Sequence, residues 1–166
     1  MLDKNLLIVD IGGTNIRYAY SNIGDSDFVS ENKAELDSLN DFYNLMSELL
    51  AEADVKNIVF SVAGPKVNNS IKMTNRNFEI DADEIRKRFN LESCYLLNDW
   101  ESIGYSIRTF SENDFDTFKE GKPFNDTFLV IGPGTGLGAS VISGNNVIAT
   151  ETVSYTHLRA HETVMN

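Results

Sequence analysis

Two glycine-rich stretches carry the residue types that hold phosphate groups: Asp10-Ile-Gly-Gly-Thr-Asn15 and Gly132-Pro-Gly-Thr-Gly-Leu-Gly138. Glycines let the backbone approach an anion, and the freed N–H groups cradle phosphate oxygens without any net positive charge. Each stretch comes after a short apolar run, Leu6 to Val9 and Phe128 to Ile131. A sheet therefore delivers each loop to a ligand at the end of a strand. Two such loops suit the phosphates of one nucleotide, clamped from both sides.

Neither loop matches the commoner nucleotide motifs. Gly134, Gly136 and Ala139 have the spacing of a dinucleotide fingerprint, but that motif opens a helix, and Ser140-Val-Ile142 before a turn reads as a strand. The Gly-Lys-Ser/Thr ending of a P-loop is missing from both. The net charge of −11 argues against non-specific nucleic-acid binding or an anionic membrane surface as partner, since both need basic surface. A phosphate ligand must then be held locally, by backbone amides and a metal ion.

Elements that position the loops are read from periodicity. Ile16, Tyr18 and Tyr20 alternate with polar or small residues as a half-buried strand, a turn spans Asn22 to Asp25, and Asp27 to Ser30 is the expected returning strand. Leu36, Leu39, Phe42, Leu45, Met46, Leu49, Leu50 and Ala53 recur at helical spacing. Asn57 to Val62 reads as a buried strand ending at Ala63-Gly-Pro65, and Ser70 to Met73 as a short strand. Asp81 and Glu84 have the form of a capping box for a helix that Asn90 can end. Tyr95 to Leu97 reads as a strand, Trp100 to Arg108 as a helix, and 111–127 as a polar connection. Gly138 to Ile142 is a strand leading into a hairpin turn at Ser143-Gly-Asn-Asn146, so the second half opens like the first.

With 166 residues, 42% hydrophobic content and ten Phe, the chain can bury a real core. Cys94 is the only cysteine, so no intrachain disulfide forms, and a small buried side chain is the favoured reading. The short apolar run near the N-terminus does not fit a secretory signal, and no run reaches membrane-spanning length. A reducing, cytoplasmic setting is expected.

Five stretches in order, Asp10-Ile-Gly-Gly-Thr-Asn15 with Arg17, Ala63-Gly-Pro65, Met73-Thr-Asn75, Leu97-Asn-Asp99 and Gly132 to Gly138, give a narrower reading. From about residue 5 to about residue 151 the chain resembles the bacterial glucokinase family, within the sugar kinase, heat-shock protein and actin superfamily. The resemblance implies an α/β fold: a ribonuclease-H-like, actin-type ATPase lobe with a mixed sheet over 1–110. A connection and the first hairpin of a second, similar lobe occupy 111–151, with the ligand in the cleft.

The implied reaction is ATP-dependent phosphorylation of glucose to glucose 6-phosphate. Asp10 would hold Mg²⁺ through water, although Asp before Gly-Gly also caps turns. Gly12, Gly13, Thr14 and Asn15 from the first loop, and Gly134, Thr135 and Gly136 from the second, would bind phosphate. Asp99 would be the base that takes the proton of the attacking sugar hydroxyl, with a helix N-cap as its structural alternative. Asn98 and Asn75 would bind the sugar through their amides, Asn75 alternatively shaping a turn, and Glu151 stands where the family carries a sugar-binding glutamate.

The match fails after Glu151. The family continues with Gly-Gly-His or a close variant, whereas this chain reads Thr152-Val-Ser-Tyr-Thr-His157-Leu-Arg-Ala-His161 and ends at Asn166. The stretch 152–166 is set aside as a non-native or disordered tail, the second lobe as incomplete, and the chain as inactive by itself with apolar surface exposed over Phe128 to Ile142. Alternatives are a kinase for another hexose or an N-acetylhexosamine, or a non-catalytic sugar-responsive regulator. The acidic chain opens directly on its first strand without a helix-turn-helix, which disfavours the regulator. A homodimer is compatible with the full-length form.

Overall fold

The structure, a computed structural model, describes residues 2–12, 15–73, 78–133 and 137–152. Gly13, Thr14, Asn75, Gly134, Thr135, Gly136 and the tail from 153 lie outside the described residues. The chain forms two compact units, Met1–Asp99 and Trp100–Asn166.

The first unit opens with β1 (Leu6–Ile11), β2 (Asn15–Ser21) and β3 (Val29–Glu35), an antiparallel meander. Next come α1 (Leu39–Glu52), β4 (Asn57–Val62), β5 (Lys66–Val67), β6 (Ser70–Lys72), β7 (Glu79–Asp81), α2 (Ala82–Arg88) and β8 (Ser93–Asn98). The main sheet has the order β3-β2-β1-β4-β8, with β4 parallel to β1 and β8 parallel to β4. The expected α/β lobe with a mixed sheet is what forms. A small antiparallel sheet, β5-β6-β7, stands beside it.

Alternation decides which face is covered. Leu7, Val9 and Ile11 of β1, Ile58, Phe60 and Val62 of β4 and Leu96 of β8 are buried with Phe42, Met46 and Leu49 of α1 and Ile85 of α2. Each such side chain, taken from water, contributes roughly 1.5–3 kcal/mol. Tyr20 is fully buried, yet its hydroxyl proton is shared between the Leu49 carbonyl and Glu52 Oε2, each at 3.0 Å, tying β2 to the end of α1. Burial and the Glu52 bond push its phenol pKa upward.

The short strands β5 and β7 were not expected, and β3 and α1 depart from their expected bounds. The returning strand begins at Val29, not Asp27, and runs on through Glu35. Its side chains are almost all exposed, because β3 is an edge strand held by backbone bonds to β2, so no apolar alternation marks it. Ser30 takes φ 54° beside the register shift between Tyr18 and Tyr20. The first helix starts at Leu39, after Ser38, whose side chain accepts from the Asp41 amide. Leu36 is buried but precedes that cap, so its spacing continues the helical pattern without its backbone being helical.

The second helix keeps half of the expected capping box. Asp81 accepts from the Glu84 amide at 2.9 Å, while the Glu84 carboxylate takes a bond from Tyr43 of α1 at 2.9 Å. Burial and that bond push the Tyr43 phenol to about 12. Asn90 ends the helix as expected: it has φ 52°, its amide donates to Lys87, and the Leu91 amide donates to Arg86. This pair of bonds is the Schellman stop.

The second unit contains nearly all of α3 (Asp99–Ser106) and an antiparallel sheet of β9 (Thr127–Pro133), β10 (Leu137–Ser143) and β11 (Asn146–Thr152), in the order β11-β10-β9. The β11 strand is the returning arm of the hairpin turn at Ser143 to Asn146. Its last residue, Thr152, pairs with Leu137, so the strand runs one residue into the stretch set aside as tail. Phe128, Leu129 and Ile131 on β9 are exposed, as the sequence suggested. Among the described residues, no helix is long and apolar enough to cross a membrane.

Candidate functional site

The three parallel strands end level with one another. Asp10, Ser61 and Leu97 stand in register, and one residue on so do Ile11, Val62 and Asn98. The residues next after these strand ends therefore share one carboxyl edge: Gly12, the turn Ala63-Gly64-Pro65, and Asp99. In open α/β sheets this edge is where ligands bind. Of the residues singled out from the sequence, the fold brings Asp10, Gly12, Asn98 and Asp99 to it.

Asp10 alternates away from the buried Val9 and Ile11, so its carboxylate is about half exposed. Its cross-strand neighbour Arg17 brings a guanidinium nitrogen to 4.0 Å, a long and solvated contact that leaves the acid accessible. Beside them lies a cavity of about 220 Å³ on the side of the sheet away from α1, lined by Ile8, Ala19 and Phe28 among others. No cluster of three or more metal-binding side chains occurs among the described residues. A single carboxylate on an open edge is nevertheless the donor set expected for Mg²⁺ held through water and phosphate oxygens, so Asp10 fits that ion.

The Gly12 amide donates to the Asn15 carbonyl at 3.0 Å. Asn15 begins β2 and pairs with Glu35.

Asn98 ends β8 on its buried face. Its Nδ2 donates to the Gly64 carbonyl at 2.9 Å, so one end of the amide is committed to the scaffold. Gly64 has φ 147°, and a Cβ there would lie 2.7 Å from the Lys72 carbonyl oxygen. Sequence reasoning placed Gly64 in a motif and missed this role; a glycine before proline at a strand end was the available signal. Asp99 is the first helical residue of α3, one position further in than an N-cap stands.

In the second unit, residues 134–136 are bracketed by β9 and β10, with Pro133 opposite Leu137 and Gly132 opposite Gly138. Glu151 lies in β11 opposite Gly138.

The glucokinase family model matches residues 7–154. The chain belongs to the glucokinase family. A curated glucokinase of Nostoc punctiforme is 31% identical over 150 residues, covering 85% of this chain and 44% of that protein. Among solved structures, a glucokinase from an Antarctic psychrotroph superposes with TM-score 0.71 at 23% identity, covering 92% of this chain and 51% of that one. The glucokinase of Balamuthia mandrillaris in complex with glucose gives TM-score 0.59 at 20% identity, covering 90% and 47%. These two establish the likeness of fold. The chain spans 41–44% of the length of the curated glucokinases it matches.

Proposed function

We propose that these residues form the sugar-side half of an ATP-dependent glucokinase, which transfers the γ-phosphoryl group of ATP to the 6-hydroxyl of glucose. The observation carrying this is the shared carboxyl edge, where the sheet register sets Asp10 and the Asn98–Asp99 pair level with the first glycine-rich loop. The sugar is read as glucose because the matched relatives are glucokinases and one solved relative holds glucose.

In this reading Asp99 accepts the proton of the 6-hydroxyl as its oxygen attacks phosphorus, and ADP leaves from the opposite side. Asn98, whose Nδ2 donates to the Gly64 carbonyl, is read as a sugar ligand through its amide. Asn75 and Glu151 are the further sugar ligands. Gly12, Gly13, Thr14 and Asn15 bind phosphate from the first unit, and Gly134, Thr135 and Gly136 from the second. Asp10 would hold Mg²⁺ through water, and the ion would neutralise charge on the phosphates. The setting is cytoplasmic, consistent with a buried, unreactive Cys94.

The test is a coupled assay for glucose 6-phosphate. A protein that carries these residues and has the length of its relatives should form product from glucose and Mg·ATP, whereas the 166-residue chain alone should form none. Product from another hexose or an N-acetylhexosamine, with none from glucose, moves the assignment to that sugar. No product from any sugar overturns it.

A further inference from the structure

Trp100 directly follows Asp99 and is the second residue of α3. A Cβ placed on Gly132 or on Gly138 would overlap its indole ring. These two glycines are direct cross-strand partners. The indole thus lies against a window of bare backbone made by two adjacent strands, and any larger residue at either position would displace it. The same two strands lead into and out of the second glycine-rich loop.

A second contact keys the helix to the sheet. Gly104 is one turn beyond Trp100, at i+4 on the same face. A Cβ there would overlap Ser140 Oγ and press on Val147. Ser140 is two residues beyond Gly138, on the same face of β10, and is fully buried. Small residues thus admit the helix at two points, and a rigid aromatic plane fills one of them.

We propose that Trp100 is a positioning residue for phosphoryl transfer: it locks the helix that begins with Asp99 onto the roots of the second glycine-rich loop, so that base and loop cannot shift independently. This rests on the roles given to Asp99 and that loop under the proposed function. A rigid stacked ring carries such coupling better than a flexible chain, because packed interiors transmit displacement.

Trp100 is the only tryptophan of the 166-residue chain, so its emission reports on the contact without any activity. There, Gly138→Ala should shift the emission to the red and raise acrylamide quenching at least twofold. Unchanged emission and quenching would overturn the proposal.

In the enzyme of the relatives' length, Trp100→Ala should lower kcat at least tenfold with KM for glucose within about threefold. Trp100→Phe, which keeps a flat ring, should recover kcat to within about threefold of the parent. Equal losses in the two variants, or a kcat near the parent's in Trp100→Ala, overturn the positioning role. Should the parent phosphorylate no sugar, the proposed function fails separately. Trp100 is then judged by its emission change on adding Mg·ATP, with Trp100→Phe as the blank, and no change overturns it.

Discussion

Asn98 donates its side-chain amide to the carbonyl of Gly64 at 2.9 Å, joining the last residue of β8 to the turn after β4. Asn98 is only 6% exposed, so this bond replaces water that neither group can reach. It fixes which way the amide faces and keeps neighbouring strand ends level. Removing the donor leaves a buried carbonyl unsatisfied, at roughly 1–3 kcal/mol. Asn98→Ala should lower the stability of the first unit by about that amount in urea denaturation. Gly64→Ala, which sets a side chain at φ 147° and against the Lys72 carbonyl, should do so by a comparable amount. Unfolding midpoints unchanged from the parent would mean that this bond is not formed in solution.

Asp99→Asn keeps the size of the side chain and its place in the first turn of α3 but cannot accept the hydroxyl proton. In an enzyme of the relatives' length, kcat should fall roughly 10²–10⁴-fold, the usual worth of a general base. Glucose affinity by calorimetry should stay within about threefold. A near-parental kcat would remove Asp99 from the chemistry and leave it a structural residue at a helix start.

Alkaline pH should weaken the first unit through its tyrosines. Burial and the bond to Glu84 hold Tyr43 at about 12 in the folded chain, against 10.0 for a free phenol, and Tyr20 is shifted in the same direction by burial and Glu52. Between these values the unfolded chain has released protons that the folded chain retains, so stability falls as pH rises. The contribution is intact below about pH 10, and for Tyr43 it is lost by about pH 12. Urea midpoints measured from pH 8 to 11 should be flat and then decline. Tyr20→Phe combined with Tyr43→Phe should flatten the decline.

Cys94 should resist alkylation. Burial pushes its thiol to about 12, so almost no thiolate exists at pH 8. Iodoacetamide should modify it at least a hundredfold more slowly in buffer than in denaturing urea, read by mass spectrometry. Equal rates would place Cys94 at an accessible position.

Much of this arrangement was legible in the sequence wherever a side chain's burial shows as periodicity. Buried Leu7, Val9 and Ile11 announce β1, and Ile58, Phe60 and Val62 announce β4. The polar β3 was placed two residues early and cut short at Ser30, because its pairing is made by backbone groups that every residue carries. The start of α1 was overrun because Leu36 continues the helical spacing beyond Ser38, where the cap stops it. Asp10, Asn98 and Asp99 were singled out by their motifs, and the strand register brings them to one edge of the sheet. That Asn98 is held by Gly64, and that Trp100 lies on Gly132 and Gly138, depends on pairings between distant segments that spacing along a chain does not encode.

The stop at Asn90 sets a length standard for β8. From that left-handed residue only Leu91 and Glu92 intervene before the strand, and the alternation of β8 then turns Cys94, Leu96 and Asn98 to the interior. An extra or missing residue between Asn90 and Asn98 would reverse that parity, turning Tyr95 and Leu97 inward and Asn98 out. A substitution in this stretch acts at its own position, whereas an insertion or deletion shifts every side chain that follows it. Natural variation between α2 and Asp99 is therefore expected to change residue identity while leaving the count unchanged.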